Sequence, residues 1–134
     1  MRRLVPLATL TAALAVAAPA SAATSFHSPS GNIRCVIDRT SFTRCDITNR
    51  AWSPPPKPQS CEFDWGNSLG LGFRGRGRFM CVSDAVDTGR TLHYGEAIKR
   101  GRFRCRSRMS GMRCVNVRNG HGFALSRQRL RRLA

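Results

Sequence analysis

Residues 101–123 read GRFRCRSRMSGMRCVNVRNGHGF. Arginine alternates with other residues from Arg102 to Arg108. Because side chains in a strand alternate between its two faces, this pattern predicts a strand with guanidinium groups along one face. The Met-Ser-Gly at 109–111 predicts a turn, and residues 112–117 predict a returning strand. The stretch therefore predicts a β-hairpin that carries two of the six cysteines and much of the positive charge.

The six cysteines predict three disulfides. An even number in a short exported chain leaves none unpaired. No CxxC pair is present and the three histidines are scattered, so the spacing does not favour a zinc site. We expect neighbours in the sequence to pair, although other arrangements stay open. The preferred pairs are Cys35–Cys45, Cys61–Cys81 and Cys105–Cys114.

A second hairpin is predicted over Phe26–Ile47. If Cys35 faces Cys45 across it, residues 33–37 lie opposite 43–47 and one face is consistently apolar. That agreement between the hydrophobic pattern and the cysteine positions favours a Cys35–Cys45 disulfide.

The other segments predict short strands joined by loops. Four prolines between 54 and 58 favour polyproline II, so this segment is interpreted as a stiff connector packed by Trp52. The Gly–Arg alternation at 74–78 predicts a bent, solvent-facing strand. Ser126 can cap a final helical turn or two through Leu133. We therefore predict a small all-β, disulfide-stapled domain of antiparallel strands, with at most a short C-terminal helix.

The N-terminal segment has the pattern of a signal peptide. Arg2 and Arg3 precede an apolar run from Leu4 to Ala18, and Ala20-Ser21-Ala22 forms a small-x-small cleavage site. We predict that residues 1–22 are removed and that 23–134 form a single secreted domain. The sequence after residue 22 has no second long apolar stretch, so no transmembrane segment is predicted in the mature chain.

The positive charge is concentrated in the second half of the chain. Residues 23–66 hold five basic and four acidic residues, whereas 67–134 hold sixteen and three. This asymmetry predicts an anionic extracellular partner: a wall polymer, an acidic lipid headgroup, a polysaccharide or extracellular nucleic acid. High arginine content also follows from codon usage in a GC-rich genome, and composition alone does not separate the two explanations.

Candidate site residues follow from this charge pattern. The anion-binding candidates are Arg102, Arg104, Arg106, Arg108 and His121, and no cofactor or metal is predicted. Small secreted ribonucleases use a Glu base, a His acid and arginines, so Glu96, His121 and the arginines at 102–108 define a phosphodiester hydrolase as the alternative. No established catalytic motif accompanies them. A non-catalytic binding module is therefore the preferred function.

Several short motifs in order along the chain resemble a known family. They are SPSGNI at 28–33, WxPPPxP at 52–58, DWG at 64–66, LxYG at 92–95, SGMxC at 110–114 and GHGFxLSR at 120–127. Together they resemble a family of small secreted actinobacterial proteins classed as a domain of unknown function. The resemblance implies export and cysteine bridging and implies no particular activity.

Overall fold

The computed structural model describes residues 6, 9–17 and 23–134. Residue 6 and residues 9–17 are exposed and have no regular secondary structure. The predicted cleavage site at 20–22 lies outside the described residues, as does most of the charged start of the predicted signal peptide. No helix in the described part of the chain is long and apolar enough to cross a membrane.

The described residues form eleven β-strands and no helix, which confirms the all-β prediction. The strands are β1 (Ala23–His27), β2 (Ile33–Asp38), β3 (Phe42–Ile47), β4 (Ser68–Leu71), β5 (Arg78–Phe79), β6 (Arg90–Thr91), β7 (Ala97–Arg100), β8 (Phe103–Arg108), β9 (Gly111–Asn116), β10 (Gly122–Leu125) and β11 (Leu130–Leu133).

Two sheets enclose one core. The first has the strand order β5-β4-β3-β2-β1-β6, and the second is the meander β11-β10-β9-β8-β7. All pairs are antiparallel except β1 with β6, which run parallel over two residues. The predicted hairpins are β2–β3 and β8–β9. In the first of them Cys35 lies opposite Cys45, as the apolar pattern predicts.

The core is built from the alternate residues that each sheet turns inward. Phe26 of the first sheet and Phe103 and Phe123 of the second are completely buried. The two hairpin disulfides meet between the sheets, where the sulfur atoms of Cys45 and Cys114 lie 3.6 Å apart. One disulfide of each sheet therefore lies at the centre of the domain.

The cysteines pair as Cys35–Cys45, Cys61–Cys81 and Cys105–Cys114, which are the preferred pairs of the sequence interpretation. The three bridges span 10, 20 and 9 residues. In the chain-entropy account each such loop closure stabilises the fold by about 3 kcal/mol. The sulfur atoms of Cys35, Cys45 and Cys114 form a tight buried group. Because all three are consumed in S–S bonds, none is a thiolate able to bind a metal ion.

The C-terminal segment forms strand β11 in place of the short helix that the sequence allows. Ser126 makes the short-range bond expected of a cap, since its Oγ accepts the Arg129 N–H at 3.0 Å. The chain then turns back as β11 and pairs with β10, with Leu130 opposite Leu125. A hairpin turn uses the same local bond as a helix cap, and the open edge of β10 decides the outcome by offering hydrogen-bond partners.

The proline connector packs on the body of the domain, as predicted. The indole Nε1 of Trp52 donates to the Ser126 carbonyl at 2.8 Å, and that of Trp65 donates to the Pro55 carbonyl at 2.9 Å. Both rings also contact Phe79. Residues 74–76 are exposed and form no strand, Gly77 is buried, and only 78–79 pair as β5.

Candidate anion-binding face

Strand β8 has its arginines on one face and its other residues on the opposite face, as its sequence predicts. Phe103, Cys105 and Ser107 are buried, whereas Arg104 and Arg108 are exposed and Arg106 is half-buried. The three arginines therefore lie on the outer face of the second sheet. Alternate residues along a strand are about 7 Å apart, so their positions form an evenly spaced row.

Neighbouring strands extend this row into a surface. Arg106 lies opposite Arg113 of β9, which lies opposite Ala124 of β10, which in turn lies opposite Arg131 of β11. On the other side, Arg104 lies opposite Lys99 of β7. We call the outward side chains of these positions the cationic face, and its members are Lys99, Arg104, Arg106, Arg108, Arg113 and Arg131.

The cationic face holds no acidic side chain. The outward positions between its cations are occupied by Ala97, Gly111, Val115, Gly122, Ala124 and Leu133. Glu96 comes just before β7, and its Oε2 accepts the His93 N–H at 3.0 Å. Among the described residues, the ion pairs are those of Arg44. The positive charge of the cationic face is therefore not neutralised by an ion pair with any of the described residues.

A shallow depression of about 160 Å³ lies in the middle of the face. Arg104, Arg106, Arg108 and Arg113 line it, together with Val115. Arg106 is held in place by one hydrogen bond, from its Nη1 to the Gly95 carbonyl at 3.0 Å. The remaining guanidinium N–H groups of these four arginines make no hydrogen bond to the part of the chain that the structure describes. A planar guanidinium matches the oxygens of a phosphate, sulfate or carboxylate group with two parallel hydrogen bonds.

Small residues keep this surface low between the arginines. Gly122 is buried, and a Cβ added there would collide with the Cys114 carbonyl oxygen, so β10 approaches β9 closely at this position. With Ala124 two positions on, β10 presents little side-chain bulk between Arg113 and Arg131.

The outer face of the first sheet is built in the opposite way. Its buried arginine, Arg44, donates to both carboxylate oxygens of Asp46 at 2.8 Å, and to the Asp84 carboxylate at 3.0 Å. Burial alone would lower the pKa of Arg44, but these hydrogen bonds and charges outweigh it and raise the pKa. The hydrogen bond and the positive charge of Arg44 in turn lower the pKa of Asp84. The charges of Arg44 and Asp46 on this face are thus paired and covered by the segment that contains Asp84 and Val86.

Arg102, the first predicted member of the arginine row, has a different environment. It comes one residue before β8, and its guanidinium carbon lies 3.8 Å from the ring centre of Phe73. The Phe73 ring packs in turn on Phe103, with 5.7 Å between ring centres. Arg102 therefore covers the end of the core through a cation–π contact, which leaves it less available to a ligand.

His121 is not brought to the cationic face. It comes directly before β10, where the alternation that buries Phe123 assigns residue 121 to the inner side. Its backbone N–H donates to Asn119 Oδ1 at 2.9 Å, and its buried Nδ1 has no partner in the described part of the chain. Gly120, just before it, has a positive φ of 77°, which is typical of a tight turn.

Glu96 and His121 lie at opposite corners of the second sheet. The Glu96 carbonyl accepts the Ser107 N–H, and the His121 carbonyl accepts the Asn116 N–H. Asn116 pairs with Phe103, so the two residues differ by four positions along β8 and by three strands across the sheet. With about 3.4 Å per residue and about 4.8 Å per strand, they are separated by roughly 20 Å. One phosphodiester group does not reach both, so the geometry gives the ribonuclease-like trio no support.

Three members of the cationic face were missing from the sequence-based set: Lys99, Arg113 and Arg131. Arg113 carried a usable signal, since pairing Cys105 with Cys114 places Arg106 opposite Arg113. Arg131 was missed because a short helix was allowed for its segment. Lys99 lies in a short segment without clear periodicity, and only its pairing with Arg104 shows that it lies on the outer face of the second sheet.

Comparison with known proteins adds a family but no activity. A family model described as a family of unknown function, DUF6636, matches residues 6–133. This agrees with the resemblance suggested by the sequence motifs at the level of a family of unknown function. No curated protein and no solved structure shows significant similarity to the chain. Because the family match spans nearly the whole sequence, the chain belongs to the DUF6636 family of unknown function.

Proposed function

We propose that this protein is an exported, non-catalytic binding module that holds an anionic extracellular polymer on its cationic face. The observation that carries the proposal is the collection of six cations on one sheet face without an acidic partner there. An unpaired surface charge of one sign attracts a ligand of the other sign and accelerates its association.

The pairing of Arg106 with Arg113 adds a second reason. Like charges directly opposite each other on neighbouring strands are destabilising. Codon usage explains a high number of arginines, but it does not explain why two of them occupy facing positions at a cost in stability. A ligand that bridges both guanidinium groups accounts for that arrangement.

Export is part of the proposal. It is supported by the signal-like pattern of residues 1–22 and by three disulfides, which persist in oxidising compartments. N-terminal sequencing of protein recovered from the culture medium should give Ala23 as the first residue. Intact protein retained in the cytosol with its first 22 residues attached would contradict this part.

The binding proposal is tested by removing charge from the face and, separately, from elsewhere. The face variant carries Arg104→Gln, Arg106→Gln and Arg113→Gln. The control variant carries Arg74→Gln, Arg76→Gln and Arg118→Gln, which remove the same charge from exposed residues off the face. The measurement is the affinity for heparin, a sulfated polysaccharide, as a function of NaCl concentration.

We expect the face variant to bind heparin much more weakly than the wild type, and the control variant to bind nearly as well. The slope of log K against log salt should fall by about 2 for the face variant, because each lost ionic contact to a flexible polyanion removes about 0.7. An equal loss in both variants would mean that net charge alone drives retention, and the cationic face would no longer be the site.

A further inference from the structure

A second depression lies at one end of the sandwich, where four turns meet. It has a volume of about 120 Å³ and lies between the β1–β2 turn, the segment before β7, the β8–β9 turn and the β10–β11 turn. We call it the end notch. The exposed residues of its lining are Ser30, Tyr94, Arg108, Met109, Arg127 and Gln128.

The end notch is continuous with the cationic face. Arg108 lines both the central depression and the notch, and it is the last residue of β8. A linear ligand lying along β8 from Arg104 to Arg108 covers about 14 Å. A longer polymer that continues in the same direction enters the notch.

The chemistry of the notch differs from that of the face. Tyr94 is 50 % exposed, and among the described residues its hydroxyl makes no hydrogen bond and its ring makes no aromatic or cation–π contact. Gln128 adds an amide with no hydrogen-bond partner among the described residues, and Arg127 adds a second guanidinium to that of Arg108. An exposed aromatic ring with amide and guanidinium donors suits a ligand unit that has both an apolar face and hydroxyl groups.

We propose that the end notch binds a sugar unit of an acidic polysaccharide whose neighbouring units lie on the cationic face. The sugar ring packs its C–H face on Tyr94, and its hydroxyl groups accept from Gln128 and Arg127. This inference rests on the proposed function, because the face supplies the ionic part of the same binding site.

Single-stranded nucleic acid fits the combined surface less well. Sequence-tolerant binding of single strands uses several aromatic rings on which successive bases stack. The outward positions of the second sheet hold no aromatic residue, and Tyr94 is the one aromatic side chain of the notch. One stacking site does not follow a run of bases.

The test compares two linear polycarboxylates, one with sugar rings and one without. Polygalacturonate and poly-L-glutamate of similar length are titrated into the full disulfide-bonded protein at about 50 mM NaCl. Surface charges are screened less at this salt concentration than at physiological ionic strength. We expect polygalacturonate to bind about fivefold more tightly. Tyr94→Ala should remove that preference and leave poly-L-glutamate affinity within about twofold.

Phe63→Ala is the matched control, because Phe63 is 54 % exposed and lies outside the notch. It should change neither affinity. Tyr94 is also the single tyrosine of the chain, so chemical nitration of tyrosine reports on the notch alone. Polygalacturonate should slow nitration of Tyr94, and poly-L-glutamate should slow it much less.

The outcomes separate this inference from the proposal beneath it. Equal affinity for both polymers, or an equal loss of both in Tyr94→Ala, would overturn the sugar site and leave the anion-binding function intact. Tighter binding of poly(U) RNA than of polygalacturonate would also overturn it, in favour of a nucleic-acid ligand. Failure to bind either polycarboxylate or heparin would overturn the proposed function itself.

Discussion

Replacing Arg113 should stabilise the fold while it weakens ligand binding. Arg113 is exposed on β9, directly opposite Arg106 of β8. Gln at this position keeps a long polar side chain that can cover the same strand surface. The substitution removes the positive charge that faces Arg106. The same charge lies beside those of Arg104 and Arg108.

The size of the effect follows from the pairing geometry. Residues directly opposite in an antiparallel pair have Cβ atoms about 5 Å apart, and two arginine side chains that splay apart hold their charges at roughly 8 Å. At the dielectric constant of water, this repulsion is about 0.5 kcal/mol. With the neighbouring arginines of β8, the total is about 1 kcal/mol at low salt. For a domain of this size, that raises the melting temperature by about 4 °C.

Thermal unfolding followed by circular dichroism at 10 mM and 500 mM NaCl measures this gain. At 500 mM the difference between Arg113→Gln and the wild type should nearly vanish, because the screening length is then well below the charge separation. Arg118→Gln is the control, since Arg118 lies in a turn and faces no arginine across a strand pair. A lower melting temperature for Arg113→Gln at low salt, or a gain that salt does not change, would refute the reasoning.

Three further predictions concern stability. Without denaturant, dithiothreitol should first reduce Cys61–Cys81, because Cys81 is exposed whereas the four cysteines of the hairpin disulfides are fully buried. Mass spectrometry after alkylation should then find two modified cysteines. Earlier modification of Cys105 or Cys114 would count against this order. Ser107→Ala should raise the unfolding free energy by about 1 kcal/mol in a urea titration, because the buried Ser107 hydroxyl has no hydrogen-bond partner among the described residues. A loss of stability would mean that the hydroxyl is hydrogen-bonded in solution. Stability should fall on acidification, because hydrogen bonds from Thr40 lower the pKa of Asp38 and those from Arg44 lower that of Asp84. Their contribution is complete above the ordinary value of 3.8 and is lost as pH falls through the lower native pKa values, so a melting temperature that stays constant from pH 5 to pH 2 would disagree with this account.

The hairpins were predictable because two independent patterns agree in them. In β2–β3, the positions of the cysteines and of the apolar residues both require Cys35 opposite Cys45. In β8, the alternation of arginine with Phe103, Cys105 and Ser107 defines the faces without any knowledge of the other sheet. Local sequence decides these elements because the pairing strands are joined by short turns.

The remaining elements depend on partners distant in the sequence. Strand β11 forms because β10 has a free edge, and the local bond at Ser126 does not distinguish a helix cap from a hairpin turn. Strand β6 is two residues long and pairs in parallel with β1, more than sixty residues earlier. Neither segment has a periodicity of its own that a sequence pattern could reveal.

The use of each arginine was the least predictable part of the site. Arg44 is bound by Asp46 and Asp84, and Arg102 lies on Phe73, whereas Arg113 faces Arg106 on the free side of the sheet. In the sequence all four are arginines in predicted strands or beside them. Only the tertiary contacts separate those that stabilise the fold from those that remain available to a ligand.

The most direct test of the cationic face is to map where a polyanion touches the protein. Backbone amide NMR shifts of the ¹⁵N-labelled, disulfide-bonded protein are followed during titration with a heparin oligosaccharide. The largest changes should fall on β8, β9 and β11, around Arg104, Arg113 and Arg131, with small changes in the first sheet. Changes centred on residues 74–78, or spread evenly over both sheets, would contradict the assignment of binding to this face.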